Sequence, residues 1–298
     1  MERLSRLSGI LGCAIAFATA GCATSSVPGA GPQPQANGAS ATHARYLGTR
    51  WAPRAALQPD SGIEYNGGPV LTKPRLYLIF WGWHKAGDPD SVEQLLLTYS
   101  KSIGGSGYDN IYTQYYGPAG RIKNPRNQYG GSWSDDTNAI PAHPTDAQVA
   151  AEALRYIKRF GYDANGSYVV ATAHNHSSAG FGTAWCAYHS ATEYSSKLVS
   201  YTDLPYIPDA GNNCGANFIT PPADETGTDE GVTIIEGAEY GDSITDPKPP
   251  TGWDGGGEVG DFCHWLNIEN DPFSANEYTS QPMFSNASGY CVQSYKKK

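Results

Sequence analysis

Beyond its first two dozen residues the chain lacks any apolar run approaching the roughly 20 residues that a membrane-spanning helix needs. It has no C-x-x-C pair, which removes the usual thiolate framework of a structural zinc site. It has no G-x-S-x-G turn, so the serine-hydrolase elbow is missing. No internal repeat or heptad is visible, which excludes solenoids and coiled coils. Basic residues are scarce: 20 Lys and Arg stand against 29 Asp and Glu, for a formal net charge of −9. Without a basic stripe nothing replaces counterions along a phosphate backbone, so nucleic acid is not an expected partner. Only two methionines occur, against 35 Gly, 21 Pro, 20 Tyr and 7 Trp, a balance that suits a loop-rich extracellular fold.

The N-terminus reads as an export signal over residues 1–21, with Arg3 and Arg6, an apolar stretch around Leu11 to Phe17, and small residues up to Gly21. Thr19-Ala20-Gly21-Cys22 resembles a bacterial lipoprotein cleavage box, with Thr19 where leucine is usual. The expectation is a cell-envelope lipoprotein anchored to the membrane by lipid on Cys22, with plain secretion as the alternative. Residues 22–60 are rich in Ala, Gly, Pro and Ser, with almost no bulky apolar residue before Tyr46, and read as a flexible tether. Residues 61–298 remain as one domain large enough for its own core. Four cysteines lie in that part: Cys186, Cys214, Cys263 and Cys291. An even number in an exported chain argues for two disulfides. Three connectivities exist, and local grouping favours Cys186 with Cys214 and Cys263 with Cys291.

Arg75 to Trp83, RLYLIFWGW, has the near-continuous apolar character of a strand buried on both faces. A helix follows, with Asp88 as cap and Val92, Leu95, Leu96 and Tyr99 on one face before Gly104 and Gly105. Residues 106–144 read as irregular short strands. Thr145 and Gln148 have capping-box spacing ahead of an amphipathic helix that Gly161 ends, and Ser167 to Ala173 is a second buried strand. A third helix, capped by Thr228 or Asp229, runs to about Ser243 despite Gly237 and Gly241, each of which costs a helix about 1 kcal/mol. Those glycines imply a close approach by another element. The fold class is mixed α/β, of α+β character.

Chemistry concentrates in GVTIIEGAEYGDSITDPKPPTGWDGGGEVGDFCHW, residues 231–265. On a helix, positions 238 and 242 stand one turn apart on one face with Glu239 beside them. In a zinc-peptidase helix such positions hold the metal, and the neighbouring Glu deprotonates its water. Here the first ligand position is Ala238, while Asp242 and the downstream Glu258 and Asp261 offer oxygen. His174, His176 and His189 are the histidines available as substitutes. Two plainer readings stand alongside: Glu236, Glu239 and Asp242 form the wet face of an amphipathic helix, or Asp246, Asp254, Glu258 and Asp261 hold calcium from loops. Trp81, Trp83, Trp133, Trp185 and Trp253 suit either a core or a carbohydrate-stacking surface.

The segments YNGGPVLTKPRLYLIFWG, SIGGSGYDNIYTQYYG, GFGTAWCAYHS, LPYIPDAGNNCGANF and the acidic run above resemble, in order, the phosphate-induced protein 1 family, which includes plant EXORDIUM proteins and exported bacterial relatives. The likeness covers Tyr65 to Trp265. The family's GHExxE pattern places its His on Ala238, its first Glu on Glu239 and its second acidic residue on Asp242. Its downstream acidic pair falls on Glu258 and Asp261, and its Cys on Cys263. The resemblance implies a zincin-like domain with a central sheet and a late active-site helix. Glu239 would then be the general base, with a divalent cation (Zn or Ca) at a site one histidine short. Two functions follow as expectations: a peptidase-type hydrolase or its metal-binding remnant, and a non-catalytic surface protein that binds cell-wall polysaccharide or a peptide or protein partner.

Overall fold

The long apolar strand expected at Arg75 is an interior strand, next to one edge, of a six-stranded sheet. The computed structural model describes residues 44–51, 62–273 and 276–296, which all fall within one compact unit, Gln33–Lys298. The expected signal, Cys22 and most of the tether lie outside the described residues. The sheet comprises β1 (Arg45–Gly48), β2 (Arg75–Trp81), β3 (Tyr129–Asp135), β4 (Gly166–Thr172), β5 (Trp185–Tyr194) and β6 (Lys197–Leu204). Their spatial order is β1-β5-β6-β4-β2-β3. β6, β4, β2 and β3 are mutually parallel, while β5 is antiparallel to both neighbours, β1 and β6. Mixed α/β architecture is therefore present as expected.

Alternation along the strands feeds two cores. Leu76, Leu78 and Phe80 join one hydrophobic cluster, whereas Ile79 and Trp81 join the other. On the first face lie α1 (Val92–Ser102) and α3 (Glu230–Thr245); α2 (Asp146–Phe160) covers the second. α2 carries the anticipated Thr145/Gln148 capping box and stops at Gly161. α1 begins at Val92, after Asp88, whose carboxylate accepts the amides of Val92 (2.8 Å) and Glu93 (3.0 Å) from outside the helix.

Several elements differ from the sequence-based expectation. Tyr129–Asp135, within the stretch read as irregular, is a regular seven-residue strand. The β5–β6 hairpin turns at Ser195 and Ser196, both with positive φ, where Asn-Gly would have announced the turn. Arg45–Gly48, read from composition as tether, pair with β5 because Tyr46 and Leu47 supply apolar side chains: Tyr46 packs on Trp185 and Tyr188, and Leu47 is buried.

Both disulfides follow the local pairing. Cys186 of β5 is bonded to Cys214, and Cys263 is bonded to Cys291, each across 28 residues. Such bonds persist in oxidising compartments. No helix among the described residues is long and apolar enough to cross a membrane.

Candidate metal centre

All sixteen residues of α3 are buried, including Glu230, Glu236, Glu239 and Asp242. This overturns the wet-face reading: the helix is polar where it is dry. Its glycines explain the close fit. A methyl group on Gly237 would stand 2.6 Å from the Tyr99 hydroxyl oxygen, and one on Gly241 would stand 2.5 Å from that of Tyr112. Both tyrosines are fully buried. Gly241→Ala should therefore destabilise the protein by about 1–3 kcal/mol through overpacking, although alanine is the better helix former by about 1 kcal/mol. A urea-denaturation midpoint equal to or above that of the parent would contradict this packing.

Glu239 faces β5, where it meets His189. The His189 Nδ1 lies 3.2 Å from Glu239 Oε2, and Nε2 lies 3.2 Å from the Asp246 carbonyl oxygen and 3.3 Å from Glu258 Oε1. The ring thus faces acceptors through both nitrogens, and only the doubly protonated imidazolium donates to both sides. Burial lowers the affinity of His189 for its proton, but the Glu258 charge and the Glu239 contact outweigh this and hold the pKa well above the ordinary histidine value. The backbone of Leu47, in β1, also favours the ionised form of Glu239.

One turn after Ala238, Asp242 approaches the loop that carries Glu258 and Asp261. Asp242 Oδ1 accepts the Gly260 amide at 2.6 Å, and Asp261 Oδ2 accepts the Glu258 amide at 3.2 Å. One carboxylate oxygen from each of Asp242, Glu258 and Asp261 lies within 4.8 Å of the others. Neither oxygen of buried Glu258 has a hydrogen-bond partner; Oε1 has only the Coulombic contact with His189. Burial pushes the Glu258 carboxyl up to about 8 despite the nearby imidazole. Burial, together with the charges of Asp261 and Glu258, holds Asp242 well above the usual carboxylate range, and burial also raises Asp261. Three carboxyls at this spacing, two buried and Asp261 half-buried, either keep protons or share a cation.

The donor set can be matched to a cation. Oxygens around Ca²⁺ lie about 2.3–2.6 Å from the ion, so ligands across it are separated by up to roughly 5 Å. The cluster falls within that span, and the orphaned Glu258 oxygens supply unused lone pairs. All three donors are hard oxygens, while zinc prefers nitrogen and sulfur. The His189 nitrogens already face Glu239, Glu258 and the Asp246 carbonyl. The residues fit an oxygen-preferring divalent cation better than zinc.

Other residues singled out in the sequence lie elsewhere. His174 Nδ1 is 2.6 Å from Asp209, and His176 Nδ1 is 3.1 Å from the Pro141 carbonyl oxygen; neither belongs to the carboxylate group. Asp246 accepts the Gly252 amide at 2.7 Å and presents its carbonyl to His189. Asp254 accepts the Gly256 amide and pairs with Arg45. Trp81, Trp83, Trp185 and Trp253 are buried, and Trp133 is half-buried beside Arg155 and Arg159. Sequence reasoning missed Arg45 and Leu47. Their one signal was that Tyr46 and Leu47 are bulky apolar residues at the end of a stretch almost devoid of them.

No family model matches the sequence, and no solved structure matches it. The chain is similar to Protein EXORDIUM-like 5 of Arabidopsis thaliana, with 26% identity over 243 residues. The match covers 68% of this chain and 64% of that relative's length. That similarity supports the EXORDIUM-like resemblance carried by the segments quoted above.

Proposed function

We propose that this is an exported, EXORDIUM-like surface protein whose acidic centre binds one divalent, oxygen-preferring cation through Asp242, Glu258 and Asp261. It is the metal-binding remnant of a zincin-like site, and it works by binding. The observation that carries the reading is buried Glu258, with neither oxygen hydrogen-bonded and only Oε1 facing a cationic group, His189, beside two further carboxylates. A single imidazolium offsets only part of that negative charge. Calcium is the cation whose coordination the donors suit best. Export is supported by the two disulfides, and a lipid on Cys22 belongs to the same proposal.

Hydrolysis with Glu239 as base is the weaker reading. The side chains of His189, Glu239 and Glu258 are only 1–2% exposed. Glu239 is engaged by His189, rather than by a position open to water and substrate. A general base must reach the proton it removes.

Calcium added to chelator-treated protein should raise the thermal midpoint. At a hundredfold excess over Kd the stabilisation is about 2.7 kcal/mol, or roughly 5–10 °C for a domain of this size. Asp261→Asn should abolish the shift, and Glu239→Gln should leave most of it. A wild-type midpoint indifferent to Ca²⁺, Mg²⁺, Mn²⁺ and Zn²⁺ would refute the cation site.

A further inference from the structure

The acidic centre is flanked on one side by a short edge strand. β1 has four residues and is the outermost strand. Its antiparallel register with β5 pairs Arg45 with His189, Tyr46 with Tyr188, Leu47 with Ala187 and Gly48 with Trp185. Each residue of β1 also has a defined seat. Arg45 forms an ion pair with buried Asp254, in the loop leading to Glu258. Tyr46 packs on Trp185 and Tyr188 at ring-centroid distances of 5.6 and 4.8 Å. Leu47 is 1% exposed, and its backbone favours the ionised form of Glu239. The Gly48 carbonyl accepts from His264 Nε2 (2.6 Å) and Trp265 Nε1 (3.1 Å).

We propose that the outer edge of β5 is a docking edge for an extended polypeptide of the pattern basic–aromatic–aliphatic–glycine, and that Arg45–Gly48 occupies it in cis. Backbone pairing to a sheet edge supplies affinity, and pockets for side chains supply selectivity. The seats described above are of that kind: a carboxylate for the basic residue, an aromatic shelf, a closed apolar pocket, and two donors for one carbonyl. They are formed by Asp254, by Trp185 and Tyr188, by the core beside Ala187, and by His264 and Trp265. Because it belongs to the same chain, the cis strand competes as an intramolecular ligand, for which short flexible tethers give effective concentrations in the millimolar range. A competing strand must overcome that value, so the edge opens when the connection is cut or when a tighter-binding partner arrives. Displacement removes Leu47 from the core beside α3 and the Arg45 charge from Asp254, which uncovers the acidic centre. The inference stands whether or not that centre holds a cation, because it rests on the edge pairing alone.

The test uses the full-length chain with a site-specific protease sequence inserted between Pro59 and Asp60. The probe is a fluorescein-labelled peptide with the sequence of residues 43–51, HARYLGTRW, followed by fluorescence anisotropy before and after cutting. The cut protein should bind the probe at least about 100-fold more tightly than the uncut protein, as expected when a millimolar internal competitor is released. Changing Leu47 to Asp or Arg45 to Glu in the peptide should weaken binding by about tenfold or more. Equal binding to cut and uncut protein would overturn the proposal. So would failure of a folded, cut protein to bind the probe. Loss of near-ultraviolet circular dichroism when the N-terminal piece leaves would also overturn it, because β1 would then be a constitutive part of the core.

Discussion

Replacing His189 with alanine is expected to destabilise the protein by about 3–5 kcal/mol, the range for removing one partner of a buried charge pair. For a domain of this size that corresponds to roughly 6–20 °C in the thermal midpoint. His189 is the basic side chain in contact with both Glu239 and Glu258 among the described residues. Its removal leaves two buried carboxylates without a counter-charge, and it also removes the imidazole that bridges β5, α3 and the Glu258 loop. Two controls separate charge from packing. His189→Gln, which keeps a donor but not the charge, should lie between wild type and alanine. The alanine variant should regain more stability than wild type on moving to mildly acidic pH, where protons neutralise the uncovered carboxylates. A loss under about 1 kcal/mol in urea denaturation would mean that the imidazole is not the counter-charge of the centre.

The second large effect concerns pH. Burial raises Glu258 and Asp109 to about 8, and raises Asp203, Glu152, Glu225 and Asp271 to about 7. The folded state therefore holds protons that the unfolded chain releases near pH 4 to 4.5. For such groups the stabilisation is fully present below the unfolded value and is lost as pH rises through the folded value. His189, raised by its carboxylate neighbours, contributes with the same sign. Asp135 runs the other way: burial opposes its ionisation, but hydrogen bonds from Thr137 and Arg155 outweigh burial and depress it, so its contribution is lost only in strong acid. Metal-free protein should thus be most stable at mildly acidic pH and lose at least about 3 kcal/mol between roughly pH 5 and pH 8.5; ionising Glu258 alone forfeits up to a few kcal/mol at about 1.4 kcal/mol per tenfold change in proton affinity. Calcium should flatten the upper part of that profile, because a cation takes the place of the protons on Asp242, Glu258 and Asp261. Urea midpoints that are level or rising over this range without metal would contradict the assignment of buried, protonated carboxyls.

The sequence made the site's location legible and left its character hidden. Spacing on a helix placed Ala238, Glu239 and Asp242 together, and the downstream Glu258 and Asp261 do reach Asp242. Periodicity alone suggested an exposed acidic face, because four acidic residues in sixteen resemble a solvated surface. The opposite burial becomes possible because Gly237 and Gly241 admit tyrosine hydroxyls against the helix, and because the Gly260 amide and the His189 ring meet the carboxylates. Pairing of His189 with the site depends on the β5 register, which no local signal in CAYHSATEYSSKLV fixes. The hairpin turns on two serines, and the strand covering it is separated from it by well over a hundred residues. The strands and helices with strong local patterns, Arg75–Trp81, Asp146–Phe160 and Gly166–Thr172, fell within a few residues of their expected bounds. The short edge strand did not, because four residues leave too little pattern to distinguish it from a tether.

Asp242 of α3 and Glu258 and Asp261 of the following loop form the proposed cation site. Isothermal titration calorimetry of chelator-treated full-length protein with Ca²⁺, at about pH 7.5 in two buffers of different ionisation enthalpy, tests it most directly. The expected result is one Ca²⁺ per chain, heats that differ between buffers because binding expels protons from the centre, and loss of binding in Asp261→Asn. Absence of binding in the wild-type protein, or binding that Asp261→Asn leaves unchanged, would contradict it.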